Sequence, residues 1–377
     1  MNATVRDRAV KTSAWVLYSL IVLEILFMVS PFAAYYYSIY ATPLNALQES
    51  QSTAWLTMYI LPHFTYSDSW LANGLVLISW PLIFAGIAFF VLGFCQIYWS
   101  KFTGKGAVEV GLYRFIRHPQ YVALAIIGLG TSLYWSRFIV VIAFVSMLCI
   151  YYFLARVEES VCLAKFGESY RDYMSRTGMF MPPSWEARWR QLGVRLPAKT
   201  LTRRVVIAGI FVSVLMATIG AAHLLRNHVI DSLQIDDGTA RVTVFLAPVS
   251  ARTRASVADL LNKTELPGNV AYVAPSSWQI PELGFTGTRE GYARGSLDEL
   301  LHPTTHGNPM QFDQDRLSVL LVDAISADRH PQGIARLTKA LNIRPVEIRE
   351  LDLAEGRIGE RVPVGEGDWA GIPVPTF

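Results

Sequence analysis

Long apolar runs separated by charged punctuation fill the first 225 residues, and the pattern then changes. Ala14–Tyr40, Leu75–Trp99 and Val205–Leu225 are each long enough to cross the bilayer as a helix. Crossing about 30 Å of hydrocarbon takes about 20 apolar residues. Two shorter runs, Tyr121–Trp135 and Phe138–Phe153, flank Ser136-Arg137 and predict a tight helical hairpin. At roughly 15 residues each they barely span, so a hairpin reaching only partway is an alternative to a full crossing. Backbone groups in lipid need internal partners, which favours helices throughout. The first run exceeds the 7–15 apolar residues of a cleaved signal peptide. Tyr35, Tyr36, Tyr37 and Tyr40 predict an interfacial belt at its far end.

Beyond Leu225 the period shortens. Val242–Leu246 and Leu317–Val322 read as buried strands, Ala255–Leu261 and Gly333–Leu341 as short helices, and Val346–Leu353 as a further strand. The fold class that follows is an all-α polytopic membrane domain of about five transmembrane helices, including the hairpin, followed by a small α/β or α+β extramembrane domain. Residues 1–185 form the membrane domain, 186–204 a basic linker, 205–225 the final transmembrane helix and 226–355 the α/β domain. The Gly/Pro-rich tail, 356–377, predicts no regular structure. No internal repeat is visible.

Composition agrees with a membrane class. Of 377 residues, 52% are hydrophobic and 17% charged, against about 25% charged in ordinary soluble domains. That excludes a disordered chain and a protein held to nucleic acid by bulk charge. Residues 1–225 carry 18 Lys/Arg against 10 Asp/Glu, and residues 226–377 carry 15 against 20. Residues 41–73 contain no Lys or Arg, whereas 156–204 contain ten. The positive-inside rule then predicts a cytoplasmic N-terminus, cytoplasmic 100–118 and 156–204, and an outside location for 41–73 and 226–377. Cys95, Cys149 and Cys162 form no CxxC pair and indicate no metal or redox site.

The chemistry-bearing residues lie in one block. It starts at Gly111-Leu-Tyr113, reaches Arg117-His118-Pro119-Gln120-Tyr121, enters the hairpin and resumes at Glu158-Glu159. Phe166-Gly167-Glu-Ser-Tyr170-Arg-Asp-Tyr173 and Met181-Pro182 follow. Proline is tolerated in the first turn of a helix, so a helix is expected to begin at Pro119. Arg117 and His118 then precede a helix N-terminus, where anions are favoured. The hairpin returns the chain to the same face and brings Glu158 and Glu159 near. Two adjacent acids suit a ribose diol or an ammonium group. Tyr113, Tyr121, Tyr170 and Tyr173 add rings for a base or a cation.

This block resembles the isoprenylcysteine carboxyl methyltransferase and phospholipid methyltransferase superfamily of integral membrane enzymes. The likeness covers residues 75–183 and rests on G-x-Y-x-x-x-R-H-P-x-Y, a helical hairpin, E-E and F-G-x-x-Y-x-x-Y. It implies S-adenosyl-L-methionine as methyl donor, bound on the cytoplasmic side by Tyr113, His118, Tyr121, Glu158, Glu159 and Tyr170. Arg117 is the catalytic candidate, holding a substrate or cofactor anion near the methyl group. The implied partners are the bilayer and a lipophilic or lipid acceptor, with a possible outside partner for 226–377 and no nucleic acid. The location implied is a plasma membrane, or an inner membrane in a bacterium. One departure is Ala123, where the family often has glycine.

Each feature has a plainer reading. Arg117 and His118 would serve as a headgroup anchor, and Glu158-Glu159 as a solvated face paired with Arg156 and Lys165. Glu24, inside the first run, is costly there. His302 and His306 are split by Pro303 and read as loop residues. Arg188, Arg190, Arg195 and Lys199 suit anionic lipid, and Gly128-Leu-Gly130 suits close helix packing. Two alternatives stand beside methyl transfer: an NADPH-dependent membrane reductase of related architecture, and a non-catalytic anchor that presents 226–377 to a partner.

Overall fold

The computed structural model describes residues 31–33, 47, 50, 52–61, 67–103, 109–192, 200–238, 240–280, 285–288, 311–326, 332–338 and 340–364. Most of the first apolar run, with Glu24 and the Tyr35–Tyr40 belt, lies outside them, as do His302 and His306. The helices are α1 (Trp70–Leu77), α2 (Ser79–Thr103), α3 (Pro119–Tyr134), α4 (Phe138–Phe166), α5 (Glu168–Arg176), α6 (Pro183–Leu192) and α7 (Thr200–Asp231). Three stretches among the described residues are long and apolar enough to cross a membrane: Trp70–Ser100, Phe138–Phe166 and Val205–Asp231.

The hairpin departs from expectation in its proportions. Its first arm, α3, has 16 residues, about 24 Å at 1.5 Å per residue. Its second arm, α4, is one continuous helix of 29 residues that carries Glu158 and Glu159 within it. The second arm is therefore long and apolar enough to cross a membrane. α4 continues past Phe153 because Leu154 to Phe166 contains no Gly or Pro to stop it.

The chain forms two compact units, one of residues 1–38, 82–129 and 143–211, the other of 39–81, 130–142 and 212–377. Small residues set helix spacing in the first. A Cβ on Gly86 would lie 2.6 Å from Ile127 Cγ1, and one on Gly128 would lie 2.9 Å from the Phe144 ring. Gly128 is thus a packing glycine, as its sequence context suggested.

The second unit is built on a seven-stranded sheet in the order β1-β2-β3-β7-β8-β10, with β9 also paired to β8. The strands are β1 (Ile235–Asp237), β2 (Val242–Phe245), β3 (Val270–Pro275), β7 (Arg316–Ser326), β8 (Ala340–Asp352), β9 (Arg357–Ile358) and β10 (Val362–Pro363). β4 (Ser277–Ile280), β5 (Phe285–Thr288) and β6 (Gln311–Phe312) make a separate small sheet. β2 and β3 are parallel, joined through α8 (Ala251–Lys263). Ser250 caps that helix by accepting from Thr253 N.

Both faces of the central strands are covered. Val242, Val244, Val270, Tyr272, Leu320 and Val322 pack with Leu61, Ala72, Val76, Val229 and Leu233 from α1, the end of α7 and the preceding loop. Phe245, Ala271, Val273, Val319 and Leu321 pack on the other face with Val257 and Leu261 of α8. A strand buried on both faces reads as a continuous apolar run, which is how Val270–Pro275, absent from the expectations above, became a strand.

Three other expectations are corrected. α9 (Ala335–Thr338) is a short turn of helix, and Ala340 already belongs to β8. Strand β8 begins well before Val346, drawn out by its antiparallel ladder with β7. The tail is not wholly irregular, since β9 and β10 both pair with β8.

The Ser136-Arg137 turn is pinned within the second unit. Ile60 N donates to Ser136 O (2.7 Å) and Leu61 N to Ser136 Oγ (2.9 Å). Arg137 is buried, donates to Thr57 O and to the Tyr59 hydroxyl, and lies 4.1 Å from the Tyr59 ring centre.

Candidate active site

Pro119 opens α3, so Arg117 and His118 are held just before the helix. A second strand of backbone fixes them there. Arg117 N donates to Gly178 O (2.9 Å), His118 N to Met179 O (3.2 Å), and Gly178 N to Phe115 O (3.2 Å). Gly178 has no room for a side chain, because a Cβ would fall 1.7 Å from Met181 O.

The side chains then meet across the hairpin. Arg117 Nε lies 2.6 Å from Glu159 Oε1, and both side chains are buried, 5% and 3% exposed. Arg117 Nη1 donates to Thr177 O and to Met174 O (3.3 Å) at the end of α5. These bonds occupy Nε and Nη1. His118 Nδ1 lies 3.3 Å from Glu158 Oε2, while Nε2 lies 3.8 Å from Glu159 Oε1. Nε2 is buried and forms no hydrogen bond. Tyr121 donates its hydroxyl to Glu158 Oε1. The Tyr121 ring stacks between His118 (5.5 Å) and Tyr151 (4.6 Å). Glu158 is 48% exposed, so the cluster runs from a closed interior at Glu159 to an open edge.

Electrostatics follow this geometry. Burial opposes a charge on His118, but hydrogen bonding and coulombic attraction from Glu158 and Glu159 outweigh it and raise its pKa above the ordinary value. Burial pushes the Tyr173 phenol up to about 12 and also raises Tyr113 and Tyr170. These phenols stay neutral. Arg117 and His118 thus face Glu158 and Glu159.

All the sequence-named residues lie in this region, though not in equal roles. Arg117, His118, Tyr121, Glu158 and Glu159 form the cluster itself. Tyr113 is buried beneath it, with Gln120 as polar neighbour of its hydroxyl, and its carbonyl accepts from the Tyr173 hydroxyl (2.7 Å). Tyr170 packs beside Tyr173, 5.6 Å between ring centres, with Cys162 as its polar neighbour. Glu159 is buried and Glu158 exposed, and the described ion pairs of both go to Arg117 and His118, not to Arg156 or Lys165. Lys165 instead sits over the Phe166 ring, 5.1 Å away. Sequence reasoning missed Tyr151, Thr177 and the Gly178-Met179 strap. The strap acts through backbone atoms, which carry no side-chain signature, and Tyr151 sits two turns before the acidic pair in an unbroken apolar run.

Residues 69–169 match the phospholipid methyltransferase family. This match and a curated relative support a likeness of the segment to the isoprenylcysteine and phospholipid methyltransferase superfamily. A protein-S-isoprenylcysteine O-methyltransferase of Schizosaccharomyces pombe is 32% identical over 77 residues, 20% of this chain. The chain spans about a third of that relative's length (32%). No solved structure matches the chain. The family segment contains Arg117, His118, Tyr121, Glu158 and Glu159, while the sheet of the second unit lies wholly beyond it.

Proposed function

We propose that this protein is an integral membrane methyltransferase that moves a methyl group from S-adenosyl-L-methionine to a lipophilic or membrane-embedded acceptor. The observation that carries this reading is the meeting of His118 with Glu158 and Glu159 inside the segment that matches the methyltransferase family.

The residues present fit the donor. S-adenosyl-L-methionine carries a carboxylate, an ammonium, a sulfonium, a ribose diol and an adenine ring. His118 and Arg117 suit the anionic end, Glu158 and Glu159 the ammonium or diol, and Tyr121 with Tyr151 a flat or cationic surface. Buried His118 Nε2, without a hydrogen bond, is a donor suited to a ligand oxygen. Tyr113 and Tyr170 support the wall. When bound, the donor supplies an activated electrophilic carbon.

The protein's own part is alignment and exclusion of water. Arg117 pairs with Glu159 and ties α3, α4 and the end of α5 into one frame. His118, flanked by Glu158 and Glu159, has the position to orient the donor. No residue of the cluster is set up as a general base, so the reading suits an acceptor that arrives already nucleophilic. The match to methyltransferases supports this reading over the NADPH reductase and the inert anchor.

The test is donor binding to the purified full-length protein in lipid nanodiscs, followed by transfer of a radiolabelled methyl to membrane lipids. S-adenosylmethionine should bind saturably, NADPH should not compete, and Glu159→Ala should weaken binding at least about tenfold, as expected for loss of a charged hydrogen-bond partner. Undetectable donor binding, or NADPH binding in its place, overturns the proposal.

A further inference from the structure

Helix α6 turns an apolar and basic surface outward and a carboxylate inward. Trp185, in its first turn, is 60% exposed, and Met181, just before it, is 41% exposed. Arg188, one turn on, is exposed too. In the sequence Trp189 and Leu192 follow Trp185 by four and seven residues, the spacing of one helical stripe. Glu186 instead reaches back: its Oε2 accepts from Met179 N (2.9 Å). Met179 O in turn accepts from His118 N (3.2 Å), and the Phe180 ring lies 5.9 Å from the His118 ring. A short path of bonds therefore joins α6 to the residues standing before α3.

Two of the stretches long and apolar enough to cross a membrane bracket α6, Phe138–Phe166 before it and Val205–Asp231 after it. An exposed tryptophan beside an exposed arginine, between two such stretches, is the make-up of a helix lying in the membrane interface. Charge selects the lipid. From Ala187 to Arg204 the chain has six Lys/Arg and no Asp/Glu, and each basic residue near an anionic surface adds severalfold to its attraction. We propose that α6 docks on an anionic membrane surface through Trp185 and Arg188, and that Glu186 passes this docking to the Gly178-Met179 strap, so that the surrounding lipid sets how firmly Arg117 and His118 are held. Glu186 is a positioning residue in this scheme. Only the effect on donor affinity rests on the methyltransferase reading.

The experiment is backbone hydrogen exchange, read by mass spectrometry, on the full-length protein in nanodiscs of phosphatidylcholine alone and of phosphatidylcholine mixed with phosphatidylglycerol. Amides of α6 should exchange severalfold more slowly in the anionic discs, as should those of Arg117 and His118. Arg188→Gln should remove much of the lipid difference, and Trp185→Ser should speed exchange of α6 in both lipids. Glu186→Ala should keep the lipid effect on α6 and lose it at Arg117 and His118, whereas Glu186→Gln, which still offers an acceptor to Met179 N, should restore it. Affinity for S-adenosylmethionine should rise severalfold with phosphatidylglycerol in the wild type and not in Glu186→Ala. Equal exchange of α6 in the two lipids overturns the proposal, as does a difference that both Arg188→Gln and Trp185→Ser leave unchanged. Slowing seen only with two copies in one disc assigns the face to a second copy and overturns it as well. A lipid effect at His118 that persists in Glu186→Ala overturns the coupling. The expected exchange pattern in a protein that binds no donor would uphold the docking and overturn the methyltransferase reading alone.

Discussion

Arg117 Nε and Glu159 Oε1 lie 2.6 Å apart although 42 residues separate them. Both are buried, so each neutralises a charge the other could not carry alone. Removing one partner leaves the other desolvated. Glu159→Gln or Arg117→Met should cost about 3 kcal/mol in stability, read by thermal or denaturant unfolding in detergent. The paired variant Arg117→Met with Glu159→Leu should regain much of that loss, yet still fail to bind the methyl donor. Separate recovery of folding and binding would distinguish a brace from a ligand contact.

His118 makes stability depend on pH. Its folded pKa is raised above the ordinary 6.5. The stabilisation is therefore fully present below about 6.5, and is lost as pH climbs through the raised value. The melting temperature of the wild type should exceed that of His118→Asn most at mildly acid pH, with the gap narrowing above neutrality. A gap that widens with pH would contradict the charged pairing with Glu158 and Glu159.

Tyr121 combines a hydrogen bond with two ring contacts. Tyr121→Phe keeps the stacking on His118 and Tyr151 and loses the bond to Glu158. The expected cost is about 1 kcal/mol, with donor affinity severalfold lower. Tyr121→Ala should be much worse, because it removes the ring between two aromatic neighbours. Isothermal titration with S-adenosylmethionine separates the two.

Gly178 supports the site from behind. A methyl group there would collide with Met181 O and approach Glu186 Oε2 at 2.8 Å. Gly178→Ala should displace the strap that receives Arg117 N and His118 N, costing at least about 2 kcal/mol. Donor affinity should fall although no ligand-facing side chain has changed.

Deleting the sheet should not leave an intact membrane part. Leu61, Ala72 and Val76 share one core with Val242, Val270 and Val322. Removal of residues 226–377 would expose that surface and take away Val229 and Leu233. The truncated protein should aggregate or run polydisperse on size exclusion in detergent. A monodisperse, donor-binding truncation would show the sheet to be dispensable.

Much of this was legible in the primary structure. Hydrophobic run length marked three described stretches long and apolar enough to cross a membrane, because lipid admits few solutions other than helices. The proline after Arg117-His118 announced the start of α3, and the order of R-H-P-x-Y and E-E named the clustered side chains. Other features were illegible for definite reasons. Gly333–Leu341 has helical character, but the β7 ladder satisfies the backbone from Ala340 onward and overrides local preference. β9 and β10 have two residues each, too few to show a period.

Local pattern determined which segments are apolar, where helices begin, and which polar residues stand at their ends, since these depend on neighbours within a few positions. Tertiary structure alone decided that Arg117 pairs with Glu159 and not Glu158, and that the strap at Gly178 and Met179 holds the motif. Those outcomes depend on distances between remote parts of the chain, which packing sets and spacing along the chain does not encode.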